Sequence, residues 1–341
     1  MNIVFVHLNT KVPMYLKKNI QRTINLFPNH KVWLIHNSST LKSEISGLST
    51  FSVHHDSRWE ELNSLHSHPK EFRGNFWFTS SARLLALDEF MTANQQECLH
   101  LESDVVISTD FPFDKLQNQS KILSYPLMSE ARGVGSVIYM RNERASKVMV
   151  STLIDDARKD SQSTEMLSLR NAADKNPEEF QLLPIGPSGL ANYRDISVEM
   201  GNKLSQAISY FGGIFDGVEI GQFFFGTDPR NRRGISLMRQ DIAKGYCGVQ
   251  KWELNYNRNR HFPDLISQSE HVAISTPIFA LHLPSKEISL FSQQRQGVAL
   301  RRRCVESTKS PVNRIILNKV MIAGISAINR RFLKVIKSGN T

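Results

Sequence analysis

The chain has 341 residues, 40% of them hydrophobic and 22% charged, which excludes a disordered or fibrous polypeptide. That length leaves room for one large α/β domain or two small ones. The net charge of +10 lies wholly in residues 295–341, where eleven Lys or Arg face one acid, Glu306. A general nucleic-acid binder spreads its basic residues over a core face, so no nucleic acid is expected as a partner. Cys98, Cys247 and Cys304 form no C-x-x-C pair and no disulfide framework, which fits a reducing compartment. The start, Met1-Asn2-Ile3-Val4-Phe5-Val6, lacks the basic and long apolar regions of a signal peptide, and a cytoplasmic location is expected. No apolar run reaches the roughly 20 residues that span a bilayer.

Residues 3–8 read as a first strand, and 13–27 as a helix with Tyr15, Leu16, Ile20, Ile24 and Phe27 near helical spacing. Residues 31–36 and 50–54 read as further strands, and 77–91 as an apolar helix. Residues 97–107 follow as one strand that carries Glu102 and Asp104 where its apolar run is interrupted. This alternation predicts a mainly parallel sheet with helices on both faces. In such sheets ligands bind beyond the carboxyl ends of the strands. The second half offers a strand at 136–140, a helix through residue 154, a loop at 159–163 and a turn-rich break at 184–189. Residues 210–231 are dense in aromatics and glycine, and 279–283 form a late strand.

Residues two apart in an extended chain face the same side, so Glu102 and Asp104 sit side by side. Two adjacent carboxylates repel unless a cation or protons intervene. A hard Mg²⁺ or Mn²⁺ ion suits such oxygen ligands and also binds diphosphates. The alternative is a solvated strand exit, where Ser and Asp are ordinary turn residues. Asp216, before Gly217 and an apolar helical run, is either an N-cap or a general base. Arg230 is either a phosphate or carboxylate clamp or part of a polar surface turn. His282 is either a metal ligand or a core histidine, and Lys286 could neutralise a diphosphate. Arg83, inside an apolar helix, requires a structural carboxylate or a substrate phosphate opposite it.

The ordered set Phe76-Trp77…Arg83, His100-Leu101-Glu102-Ser103-Asp104, Phe215-Asp216-Gly217…Gly221-Gln222…Gly226…Asp228-Pro229-Arg230-Asn231 and Leu281-His282…Ser285-Lys286 resembles nucleotide-sugar glycosyltransferases of the GT-A fold. Within that fold it is similar to a bacterial group with an acidic motif and a late LHxxSK-type motif. The resemblance covers about residues 3–290. It implies a GT-A-like, Rossmann-type α/β domain over 1–294, with a nucleotide-sugar-binding half (1–110) and an acceptor half (111–294).

The resemblance also implies roles. Glu102-Ser103-Asp104 matches the D-x-D motif with Glu in first place. Asp104 would hold the Mn²⁺ or Mg²⁺ that bridges the donor diphosphate, with Glu102 nearer the ribose or a metal-bound water. His282 matches a late metal- or diphosphate-binding histidine, and Pro284 stands where a second His is usual. Arg83 would reach the diphosphate. His7, Leu8, Asn9, His36 and Asn37 would border the base and ribose. Ser103, Gln222, Asp228, Arg230 and Lys286 complete the expected substrate-binding set. An inverting enzyme would need a base, with Asp216, Glu165 and Glu219 as candidates in that order. The implied partners are a nucleotide-sugar donor and a glycan or lipid-linked acceptor, in bacterial surface polysaccharide assembly.

Residues 295–341 read as a basic amphipathic tail. At 100° per residue Lys319, Arg330, Lys334 and Lys337 share one face, opposite Leu317, Met321, Ile325, Ile328, Phe332, Val335 and Ile336. That pattern suits an anionic membrane surface on the inner side of the cytoplasmic membrane. The alternative is a helix docked on the domain or on a partner. Two other functions fit less well. A nucleotidyltransferase could use the same carboxylates, but no Gly-rich phosphate loop follows the first strand. The third is a non-enzymatic lipid- or nucleic-acid-binding protein.

Overall fold

The computed structural model describes residues 1–9, 11–37, 45–72, 74–187, 197–226, 228, 252–269, 272–284, 286–291, 300, 301 and 304. Among these, eight strands form the main sheet. Its first edge is the parallel array β3 (Leu48–Ser52), β2 (Lys31–His36), β1 (Asn2–His7) and β4 (Cys98–Leu101). Beyond β4 come β8 (Val137–Met140) and β6 (Leu123–Ser129), with β6 flanked by β7 (Arg132–Gly133) and β9 (Phe180–Leu183). Only β7 and β8 run against the common direction. The sheet is therefore mainly parallel, as the alternation of elements predicts.

β1 lies between two strands and is buried on both faces, which is why it reads as an unbroken apolar run. Its alternate residues serve different cores. Ile3 and Phe5 pack with Leu16 and Ile20 of α1 (Met14–Leu26) and Leu116 of α4 (Phe113–Asn118). Val4 and Val6 pack with α2 (Ser57–Leu65), α3 (Phe76–Asn94) and α5 (Glu143–Lys159). Leu84, Leu85, Ala86 and Leu87 of α3 are all fully buried, so this helix is covered on every side. It lies on β1 and β2 and under α2 and α5. Each buried leucine there contributes about 1.5–3 kcal/mol.

A second, smaller sheet stands against the end of the first. It contains β5 (Val105–Ile107), β10 (Ile214–Phe215), β11 (Trp252–Asn257), β12 (Phe262–Ser269) and β13 (Val272–His282). The first part of β13 pairs antiparallel with β12. Its last residues lie between β10, which is parallel, and β5, which is antiparallel.

Several expectations are corrected here. Residues 97–107 are two strands in two sheets, because the chain turns at Glu102–Asp104. The third strand starts two residues earlier than expected, at Leu48, and the late strand reaches back to Val272. Leu300 and Cys304 are buried against the core. Apart from these two and Arg301, the expected tail lies outside the described residues. Among the described residues no helix is long and apolar enough to cross a membrane.

Candidate active site

The acidic pair sits on the turn that hands the chain from one sheet to the other. β4 ends at Leu101, beside Phe5 of β1. The Glu102 N–H then donates to the Ser136 carbonyl (3.0 Å), and the Val105 N–H to the Glu102 carbonyl (3.0 Å). Asn19, buried in α1, donates to the carbonyls of Ser103 (3.2 Å) and Val105 (2.7 Å). The turn is thus held from both sides at the carboxyl edge of the parallel strands.

β13 brings the next group. His282 pairs with Val105, and the Leu283 N–H donates to the Asp104 carbonyl (2.8 Å). The His282 Nδ1–H donates to the Gly217 carbonyl at 2.7 Å, since a carbonyl can only accept. Nε2 therefore faces the acidic pair, 3.5 Å from Glu102 Oε2 and 3.4 Å from Asp104 Oδ2. A backbone carbonyl that fixes the far ring nitrogen is the usual support of a metal-binding imidazole.

Two cations flank the pair. Arg83 of α3 pairs with Glu102 and stands 4.0 Å from Glu165. Lys286 pairs with Asp104, and its ammonium lies 5.2 Å from the centre of the Tyr15 ring. Gly135 makes room for the guanidinium, because a Cβ there would stand 2.8 Å from Arg83 Nη2. Burial works against charge on both acids. Even so, His282 and Lys286 hold the Asp104 carboxyl well below the usual range, and Arg83, then His282, lower that of Glu102. Burial would lower the His282 pKa, but Asp104 and Glu102 raise it to about 9.

Glu102, Asp104 and His282 offer two carboxylate oxygens and one imidazole nitrogen, all within 4.8 Å of one another. That donor set fits Mn²⁺ or Mg²⁺. The three line a cleft of about 320 Å³ that is more polar than apolar. An anion entering it would meet Arg83 and Lys286.

The chain is similar to glycosyltransferases of known structure. The galactosyltransferase LgtC, solved in complex with donor and acceptor sugar analogues, is 14% identical with a TM-score of 0.41; the match covers 60% of this chain and 83% of that one. PaToxG glycosyltransferase gives 10% identity and a TM-score of 0.36 over 72% of this chain and 84% of that one. Mouse xyloside xylosyltransferase 1 gives 9% and 0.36 over 54% and 86%. No family model and no curated protein matches the chain. With likeness this distant, the functional reading rests on the residues of the cleft.

Most of the residues singled out from the sequence meet there. His7, the last residue of β1, lines the cleft together with Leu8 and Asn9, which follow that strand. Arg83, Glu102, Ser103 and Asp104 line it too, as do Gln222, Asp228, His282, Pro284 and Lys286. Asn37 is exposed and donates to the Leu8 carbonyl (3.2 Å) without lining the cleft. His36 is buried at the end of β2. Arg230 lies outside the described residues.

The three expected bases do not line it. Asp216 accepts the N–H groups of Ile220 (3.0 Å), Gly221 (2.8 Å) and His282 (3.2 Å). Both its oxygens serve backbone donors, two of them in the first turn of the helix that starts at Glu219, where Val218 and not Asp216 is the N-cap residue. Burial raises its pKa to about 6, against the pull of His282 and these N–H groups. Glu165, buried at the start of α6 (Glu165–Lys175), stands behind Arg83, and burial raises its pKa. Glu219, the first residue of α8 (Glu219–Phe225), is also buried.

Sequence reasoning missed Asn19 and Tyr15 as site residues. Asn19 is a polar residue on the same helical face as Leu16, Ile20 and Thr23, all buried, and that mismatch is its signal. Tyr15 sits where its hydroxyl is 3.5 Å from Ser103 Oγ and its ring meets Lys286.

Proposed function

We propose that this chain is a metal-assisted glycosyltransferase that moves a sugar from a nucleotide-diphosphate sugar to an acceptor hydroxyl. The observation that carries the reading is the meeting of Glu102, Asp104 and His282 Nε2 in one cleft, with Arg83 and Lys286 beside them. When bound, a divalent cation there would offset the charge that develops on the departing nucleoside diphosphate. Asp104, Glu102 and His282 would hold that cation. Lys286 would meet the diphosphate as a second positive charge, and Arg83 orients Glu102. His7, Leu8 and Asn9 offer the end of β1 to the nucleoside. Asp228 is the other carboxylate on the cleft wall among the described residues, and we place it toward the acceptor hydroxyl.

A lipid-linked or glycan acceptor in bacterial surface polysaccharide assembly belongs to the same proposal, with the basic 295–341 segment resting on an anionic membrane from the cytoplasmic side. The deciding experiment is a thermal-shift panel of nucleotide sugars with and without Mn²⁺. A ligand that binds only the native state raises the melting temperature by mass action. One donor should do so in a Mn²⁺-dependent way, and Asp104→Ala should abolish both that shift and sugar transfer while keeping the native circular dichroism. Release of pyrophosphate from a nucleoside triphosphate would favour a nucleotidyltransferase instead. Undiminished transfer in Asp104→Ala would sink the assigned site.

A further inference from the structure

One oxygen of the acidic pair has two claimants. Asp104 Oδ2 accepts the Lys286 ammonium and also lies 3.4 Å from His282 Nε2. Glu102 is engaged on both oxygens as well, by Arg83 on Oε1 and by His282 on Oε2 at 3.5 Å. Both carboxylates of the pair are thus already matched by cationic side chains, while Asp228 lines the same cleft. A dication entering this cluster must move Lys286 off Oδ2.

Lys286 is aimed at that oxygen by its backbone. Its φ is +63°, in the left-handed region that a long side chain rarely adopts. Its N–H is tied back to the Leu283 carbonyl at 2.8 Å, and its side chain passes the Tyr15 ring. The same ammonium lines the cleft, within reach of an incoming anion.

We infer that Lys286 makes this site selective for a divalent cation together with a diphosphate, against the cation alone. The inference rests on the metal reading above and deepens it. A diphosphate draws the ammonium away from Asp104, which frees Oδ2 for the cation, and its negative charge offsets that of the cation. Each ligand then tightens the other by the same factor, because linked binding is reciprocal.

The test measures Mn²⁺ binding by paramagnetic resonance of the free ion, for the wild type, Lys286→Met and Lys286→Arg, each checked for native circular dichroism. Without nucleotide, Lys286→Met should bind Mn²⁺ at least about tenfold more tightly than the wild type, and Lys286→Arg should stay close to the wild type. Calorimetry with UDP, GDP, CDP and dTDP, with and without Mn²⁺, gives the coupling factor for whichever nucleotide binds. That factor should be about tenfold larger in the wild type than in Lys286→Met. Equal Mn²⁺ affinity in the wild type and Lys286→Met, or equal coupling, overturns the role of the lysine and leaves the metal reading standing. Absence of Mn²⁺ binding in every variant with every nucleotide overturns the metal reading and this inference with it.

Discussion

Asn19 in α1 and Val105 at the start of β5 are joined by a 2.7 Å hydrogen bond from a side-chain amide to a backbone carbonyl. The same amide nitrogen reaches Ser103. A helix on one face of the main sheet therefore holds the turn that carries both carboxylates. In Asn19→Leu the two carbonyls lose a buried donor. Stability should fall by about 1–3 kcal/mol in urea titration. Nucleotide-sugar binding should weaken beyond what the stability loss explains, because the turn is released next to Asp104.

Asp216 separates a scaffold role from a catalytic one. In Asp216→Asn one oxygen remains, but an amide N–H₂ replaces the other, which accepts one or two of the three backbone donors. We expect a loss of about 1–3 kcal/mol in the urea midpoint, with the turnover rate reduced by less than about tenfold. A general base at this position would instead lose a factor of about 10²–10⁴, so a loss of that size in a folded variant would restore Asp216 to the chemistry.

Gly221 is where α8 touches β13. A Cβ there would stand 1.5 Å from the carbonyl oxygen of His282, an approach only glycine permits. Gly221→Ala must push helix and strand apart at the residue that supplies Nε2. The expected cost is more than about 3 kcal/mol, read as a lowered melting temperature or a failure to accumulate folded protein. A variant as stable as the wild type would contradict this packing.

His282 ties stability to pH in a stated direction. Its pKa rises from 6.5 to about 9 on folding, despite burial, because Asp104, Glu102 and Asp216 surround it. The native state then holds a proton that the unfolded chain has released. The stabilisation is complete below pH 6.5 and is lost as pH climbs through about 9. In EDTA, the stability gap between the wild type and His282→Gln should shrink across that window. A cation needs the Nε2 lone pair, so Mn²⁺ affinity should rise with pH over the same range, by up to about tenfold per unit. Calorimetry in buffers of different ionisation enthalpy should report one proton released; no release would mean that His282 is not a ligand.

Much of this site is legible in the residue order because its donors lie where strong local signals end. β1 and β2 read correctly from unbroken apolar runs, and α3 from its length. Glu102 and Asp104 stand out as charges inside an apolar stretch, and Arg83 as a cation inside an apolar helix. The gaps have physical causes. Nothing in Val105–Ile107 says which sheet it joins, because a three-residue apolar run suits either. The alternation in Trp252–Asn257 is a strand signal, but its partner β12 carries a proline and a buried Asp264 that blur the pattern. Asp216 precedes a helix in both of its readings, so its spacing could not choose, and the three backbone donors around its carboxylate come from parts of the chain that no local pattern joins.

The pairing of β5 with β13 has a consequence for how this protein matures. The carbonyl of Asp104 and the N–H of Leu283 meet across more than half of the described length of the chain. Contacts between such distant partners bear a high loop-closure cost and form late. A nascent chain that has finished the parallel sheet owns both carboxylates but has no imidazole to place beside them. The three candidate metal donors thereby come together only at the end of folding, and a chain clipped before β13 would keep most of its strands but lack His282 and Lys286.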